Sequence, residues 1–471
     1  MMSIMKKTMI VLSAMLALLA CNKIAPEVVN DDVINASKLV FNITVNNAND
    51  TKGVKTAWEN GDVVYAFFED NSSQYVKMTY NGTSWDLTDK DGGSTYTNLS
   101  LAESGKKVSA VYFPSFVCSS APAWSTDKWT FGDVSGYYQT VAADYTATSI
   151  ADVTTVSATL NLAAPTGITQ LLIPNTEYTA PEAGNEYVFT ATHISPFTFN
   201  GIVPGSVATH STGTDGFPIA PYEGTIGGET GYYFWGILEG AGTYDFEFQL
   251  VKRNAERKYA ISSKHKSVKG LTVSASFAAK LTSLNDNGNF VNLGYSGSPF
   301  WATGNLNDAS PHIADPLDAG SYYMYGSLTP YNNSDVVYKY STDPLPLEDD
   351  AAYRKNTRWR IATKSDFDRL QDGNNTTATW VKGWTHIYGN SAGVLFTSNK
   401  NGISLLFAAA GYTYANGYYN YDGSACYYWT ATPMNSQYAY KFYAYKGDYD
   451  LGMTTSPDER KYGYSIRPVL R

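Results

Sequence analysis

Along most of this chain apolar and polar residues alternate with a period of two, the spacing of strands whose side chains point to opposite faces. "KLVFNITV" (38–45) alternates in this way, and "VVYAFF" (63–68) is a continuous apolar run after the turn sequence "WENGD", which predicts a buried strand. "YVKMTYNGTSWDLT" (75–88) carries an Asn81-Gly82 hairpin signal, and "VSAVYFP" (108–114) is a further strand. "VSATLNLAAP" (156–165) and "ITQLLIP" (168–174) read as the strands that close a first sandwich near residue 175. A second run of short strands follows, through "YVFTAT" (187–192), "GYYFWGIL" (231–238), "TYDFEFQLV" (243–251), "KYAIS" (258–262) and "SVKGLTVSASFAAKLTSL" (267–284). The Asn/Gly-rich "NDNGNFVNLGYSGSP" (285–299) then predicts a linker.

From Phe300 the pattern changes. "TKSDFDRLQDG" (363–373) has an N-cap in Thr363 or Ser365, apolar Phe367 and Leu370 at helical spacing and Gly373 as a stop, which predicts a short helix. "GVLFTSNKNGISLLFAAAG" (393–411) predicts a hairpin about Asn401-Gly402. "ACYYWTAT" (425–432) and "YAYKFYAY" (438–445) are tyrosine-rich strands, with Tyr438, Tyr440 and Phe442 on one core-facing side and Trp429 buried. The chain closes on "KYGYSIRPVLR" (461–471), a strand-like run holding Arg467, although termini usually fray. The expected fold class is mostly β, two β-sandwich units followed by an α+β domain. The divisions are a signal peptide over 1–21, a leader over 22–38, sandwiches over 39–175 and 176–285, a linker over 286–299 and the last domain over 300–471.

Composition narrows the setting. The 471 residues carry a net charge of -9, and only 16% are charged, against roughly 25% in ordinary soluble domains. An acidic chain without a basic patch is a poor nucleic-acid binder. Lys6 and Lys7 precede the apolar "TMIVLSAMLALLAC", a signal peptide too short for a stable membrane-spanning helix. Leu18-Leu19-Ala20-Cys21 resembles a bacterial lipobox, which implies lipidation of Cys21 and attachment of the exported chain to a membrane. The remaining Cys118 and Cys426 fall in different predicted domains and are expected as free, buried thiols.

Catalytic and metal patterns fail one by one. "GNSAG" (389–393) matches a nucleophile elbow, but His386 is the last histidine and a strand rather than a helix follows. The five histidines, His193, His210, His265, His312 and His386, stand singly, so neither zinc nor any other metal is expected. "SLNDNGNF" (283–290) has Ser283 at the first calcium-ligand position and no closing glutamate, so it reads as a turn. What remains is an aromatic surface. Tyr418, Tyr419, Tyr421 and Asp422 lie in a Gly/Asn-rich loop, and Trp384, His386 and Tyr388 precede another turn. Aromatic faces stack on sugar rings and neighbouring polar groups bind hydroxyls, which makes these seven residues the candidate ligand site.

Two resemblances add to this reading. "TKGVKTAWENGDVVYAFF" (51–68), with "VSAVYFPS" later, resembles the fimbrillin family of Bacteroidales surface lipoproteins, the subunits of type V pili. That implies two transthyretin-like β-sandwich subdomains. "FWATGNLNDASPHIADPLDAGSYYMYGSL", "WRIATKSDFDRL", "ISLLFAAAGY", "YYWTAT" and "YGYSIRPV" together resemble the Fibrobacter succinogenes major paralogous domain. It is a relative of the C-type-lectin-like and formylglycine-generating-enzyme fold. In that fold the last strand pairs with the domain's first, and Arg467 at its motif position reads as structural, paired with a carboxylate such as Asp366, with a ligand-binding role as the alternative. The cysteines of the enzyme and the Glu-Pro-Asn and Trp-Asn-Asp runs of calcium-dependent lectins are missing, so neither chemistry carries over.

The implied role is non-enzymatic, without cofactor. The chain is expected as a lipid-anchored protein of the cell outer membrane, a fimbrial tip or minor pilin acting as an adhesin through its last domain. Expected partners are other pilin subunits by strand exchange, a glycan or host-surface ligand, and the membrane through Cys21. Leaders of this family are often cut after arginine; the first arginine here is Arg253, which leaves Lys52 and Lys55 as candidate cleavage points. A lipoprotein that binds or processes polysaccharide for nutrient uptake is the alternative, with Asp349/Asp350 and Asp448/Asp450 as available carboxylate pairs, and a purely structural surface protein is a third.

Overall fold

The computed structural model describes residues 38–47, 58–69, 75–88, 106–112, 123–124, 129–130, 139–150, 153–163, 167–201, 209–226, 228–274, 277–331, 342–386, 389–414, 418–420, 423–447 and 450–471. It is mostly β, and its α-helices among the described residues are the short Ala351–Lys355 and Lys364–Gln371. Cys21, Lys52, Lys55 and Cys118 lie outside the described residues.

The first sheet has seven strands in the order Lys38–Asn47, Val153–Leu162, Gln139–Ile150, Lys106–Tyr112, Val63–Phe68, Val76–Tyr80 and Trp85–Thr88. The edge strand Lys38–Asn47 pairs in parallel with Val153–Leu162; the other pairings are antiparallel. Asn81-Gly82 forms the expected hairpin turn, with the Asn81 side chain accepting from the amides of Thr83 and Ser84 and Gly82 at φ 95°. The apolar run Val63–Phe68 is explained by having two cores. Val64, Ala66 and Phe68 face a cluster made within this sheet, while Tyr65 and Phe67 face Leu172, Tyr233 and Trp235 of the next one.

That next sheet contains Ile194–Ser195, Glu229–Leu238, Ile168–Pro174 and Phe277–Lys280, with Tyr222–Ile226 also on Glu229–Leu238. The strand Ile168–Pro174, expected to close the first sandwich, therefore hydrogen-bonds in this second sheet. Glu229–Leu238 repeats the two-core logic: Tyr233 and Trp235 point to the first sheet, and Tyr232 and Phe234 to a third. The third sheet is Asn185–Ala191, Gly242–Asn254, Ala260–Val273 and Asn285–Asp286, packed through Phe189, Phe246, Phe248 and Leu250. Its other face places Val188, Val251 and Ala260 in one cluster with the C-terminal region. Successive layers thus share cores rather than hanging on free connectors.

The segment expected as a linker belongs to this packing. Asn285–Asp286 pairs with Lys264 and His265, and Phe290–Asn292 pairs with Phe300–Ala302. Its asparagines and glycines supply turns, with Gly288, Gly294 and Gly297 at positive φ, while Phe290, Val291, Leu293 and Tyr295 are buried. Beyond it, a four-stranded sheet runs Phe290–Asn292, Phe300–Ala302, Pro468–Leu470 and Trp359–Ile361. The last strand is interior and pairs with the strand at Phe300, through Trp301 and Val469. Helix Lys364–Gln371 starts where expected. The Thr363 side chain accepts from the Asp366 amide while Asp366 bonds back to the Thr363 amide, and Phe367 and Leu370 are fully buried. The hairpin about Asn401-Gly402 joins Gly389–Ser398 to Ser404–Ala408, so "GNSAG" lies in a strand.

Arg467 is fully buried but does not pair with Asp366. Asp366 is held by Arg360 at 2.6 Å, and among the described residues no carboxylate meets Arg467. The guanidinium donates instead to the carbonyls of Ala302 and Leu406, each at 2.9 Å, and lies over the Phe407 ring at 4.3 Å. Full burial lowers its pKa, and the neighbouring Tyr428 opposes that shift. The carboxylate expectation failed because Arg360 in the preceding strand is closer to the helix cap.

Candidate functional site

Of the seven candidate ligand residues, Tyr388, Tyr421 and Asp422 lie outside the described residues, as do the side chains of Tyr418, Tyr419, Trp384 and His386. Their backbones are informative. Tyr418 pairs with Tyr414 and Tyr419 with Thr413 in a small hairpin, while Trp384 and His386 pair with Ser391 and Gly389 in a different sheet.

Around the first hairpin the tyrosines form a continuous chain of rings. Tyr427 and Tyr443 are directly opposite on the strands Ala425–Pro433 and Tyr438–Lys446, with ring centroids 4.8 Å apart. Tyr445, two residues on, stacks on Tyr443 at 5.2 Å. In the other direction Tyr412 meets Tyr427 at 5.0 Å and Tyr462 at 5.6 Å, and Tyr462 meets Tyr414 at 4.9 Å. The chain ends on exposed rings, Tyr414 at 37% and Tyr445 at 43%. Lys461 sits over Tyr414 at 5.2 Å and pairs with Glu459.

Beneath the rings the support is rigid. Trp429 is buried and donates its indole N–H to the Tyr323 carbonyl at 2.9 Å. The Tyr464 hydroxyl donates to Asp458, which also holds the nearly buried Lys441 at 2.7 Å. Burial, with Asp458 adding to it, raises the Tyr464 pKa, so its phenol stays a donor. Phe442 is buried as expected, whereas Tyr438 and Tyr440 are only half-buried, because this strand also sends Ala439 and Tyr443 to a second cluster. The sequence reading missed Tyr414, Tyr445 and Tyr462 as site members. Alternation flags a strand's two faces but not which rings of different strands meet.

Asp350 accepts from the amides of Ala352, Tyr353 and Ile361, capping one helix and tying down a strand, so it is not a free catalytic partner for Asp349. Asp448 lies outside the described residues. Ser267, His265 and Glu247 cluster, but Glu247 and Ser267 both approach the same His265 nitrogen, Nε2, at 2.7 and 3.3 Å. A proton relay needs the serine and the carboxylate on opposite nitrogens. Cys426 is a free thiol whose pKa burial pushes up to about 12. No group of three or more metal-ligating acidic, His or Cys side chains occurs among the described residues.

No family model and no curated protein matches the chain. Solved structures that align with it include a candidate cell adhesion protein from Bacteroides ovatus, 14% identical, covering 54% of this chain and 98% of that one at a TM-score of 0.27. A fimbrial protein from the same organism is 12% identical over 92% and 99%, at 0.21. The fimbrial anchor protein Mfa2 from Porphyromonas gingivalis is 13% identical over 51% and 90%, also at 0.21. Likeness at this level decides neither the family nor the role of this chain.

Proposed function

We propose that this chain is a non-enzymatic cell-surface adhesin of the fimbrillin kind, lipidated at Cys21 and acting at a fimbrial tip or as a minor pilin. The carrying observation is the tyrosine chain of the last domain, which runs between two exposed rings over a braced floor. Such a surface offers large, rigid contact area with hydroxyl tips, suited to stacking on the rings of a glycan. Pilin partners would engage the opposite end. Lys38–Asn47 is an edge strand that contributes buried Ile43 and Val45, so its removal after Lys52 or Lys55 would open a groove for another subunit's strand.

The test is a glycan and host-protein array probed with the whole exported chain, because the last domain shares a core with the third sheet. The double substitution Tyr414→Ala/Tyr445→Ala touches only exposed rings and is expected to abolish the signal while leaving the melting curve unchanged. Binding that survives this substitution would refute the tyrosine face as the adhesive site.

A further inference from the structure

The outer face of the third sheet changes character along its strands. Val188 and Val251 are register partners and lie beneath the C-terminal region. Two residues further on, Thr190, Gln249 and His265 make a row across three strands, and Glu247 and Ser267 make the next. Where the apolar cover ends, these rows floor a cavity of about 750 Å³. Its walls are the turn at 214–216, Asn292, Phe300 and the hairpin tip at 399–401. The two walls touch: a Cβ on Gly216 would come within 3.2 Å of the Lys400 carbonyl.

The volume lies within the roughly 300–1,000 Å³ of small-molecule sites. The lining is built for hydroxyl groups, which donate and accept at once. Asp215 and Glu247 accept, Lys400 donates, and Thr190 and Ser267 do both. Charges of both signs face the same space, which disfavours an ionic ligand of either sign. Asp215 and Lys400 are exposed and take no ion partner among the described residues. Phe300, half-buried with His265 edge-on at 5.1 Å, adds an apolar wall. Glu247 is the fixed member. Partial burial raises its pKa, but hydrogen bonds from Ser267, Lys269 and His265 outweigh that and keep it ionised.

We infer that this cleft binds a neutral saccharide of one or two hexose units, its hydroxyls held by Asp215, Glu247 and Lys400 and its ring set against Phe300. The site is separate from the tyrosine face and stands or falls without it. The experiment is saturation-transfer NMR on the whole exported chain with glucose, galactose, mannose, N-acetylglucosamine, lactose and cellobiose, and with glucuronic acid and glucosamine as charged controls. At least one neutral sugar is expected to bind saturably. Asp215→Ala and Lys400→Ala are surface changes expected to fold normally and to weaken binding by about tenfold each, the loss of one charge-assisted hydrogen bond. Tyr414→Ala/Tyr445→Ala should leave this binding unchanged. Absence of binding by every neutral sugar, preference for a charged one, or wild-type affinity in both the Asp215 and Lys400 variants would each overturn the inference.

Discussion

Replacing Arg467 by methionine is the most exacting test of how the C-terminal region is held. The side chain bridges two strands that do not pair with each other, donating to Ala302 in Phe300–Ala302 and to Leu406 in Ser404–Ala408. Methionine fills similar space but leaves both buried carbonyls without that donor, at about 1–3 kcal/mol each. Loss of the guanidinium contact with Phe407 adds about 1–2 kcal/mol. Relief of a buried charge offsets part of this, though less than for a bare ion, because two carbonyl dipoles and a ring face already solvate it. The expected net loss is about 2–4 kcal/mol. Arg467→Lys should cost at least as much. It keeps the charge buried and replaces the fork by a point donor that is more strongly hydrated. The assay is guanidinium unfolding of the full chain followed by tryptophan fluorescence, since Trp301 and Trp429 are buried in this region. A methionine variant as stable as wild type would show that the buried charge costs as much as its bonds return. A lysine variant more stable than the methionine one would show that charge, not fork geometry, matters.

Phe367→Ala should cost about 3–5 kcal/mol in the same assay, because the ring is fully buried, stacked on Phe442 at 5.0 Å and edge-on to Trp301 at 5.3 Å. Gly304→Ala should prevent correct folding of the C-terminal region, read as lost near-UV circular dichroism, since its Cβ would sit 1.9 Å from the Ala314 carbonyl oxygen. For Asp366, burial raises the pKa, but hydrogen bonds from Arg360 and Thr363 outweigh it and the folded value is depressed. Its contribution is therefore complete above the ordinary value of 3.8 and disappears as pH falls through the lower folded value. Acid titration of the unfolding midpoint should be shallower in Asp366→Asn, and an unchanged slope would refute the assignment.

The strand content was legible because apolar runs and Asn-Gly turns are local signals, and Thr363, Phe367 and Leu370 announced the helix in the same way. What stayed hidden is set by pairing at a distance. Ile168–Pro174 reads as well for one sheet as for the other, and its partners Glu229–Leu238 and Phe277–Lys280 lie far along the chain. The Asn/Gly content of 285–299 masked four buried apolar residues, because turn residues dominate composition while burial depends on the few between them. The aromatic surface was visible as tyrosine-rich text. Its membership was not, since Tyr412, Tyr427, Tyr443 and Tyr462 converge from four separate segments.

The interior position of Pro468–Leu470 also dictates a timetable. Arg467 bonds a carbonyl 165 residues earlier, and the strand that joins Phe300–Ala302 to Trp359–Ile361 is missing from this sheet until residues 468–470 have left the ribosome. The earlier sheets have all their described strands by residue 286 and are free to form first. Closure at such long separation is slow. The C-terminal sheet is therefore completed only by the last strand to be made, after the layers it packs against are already available.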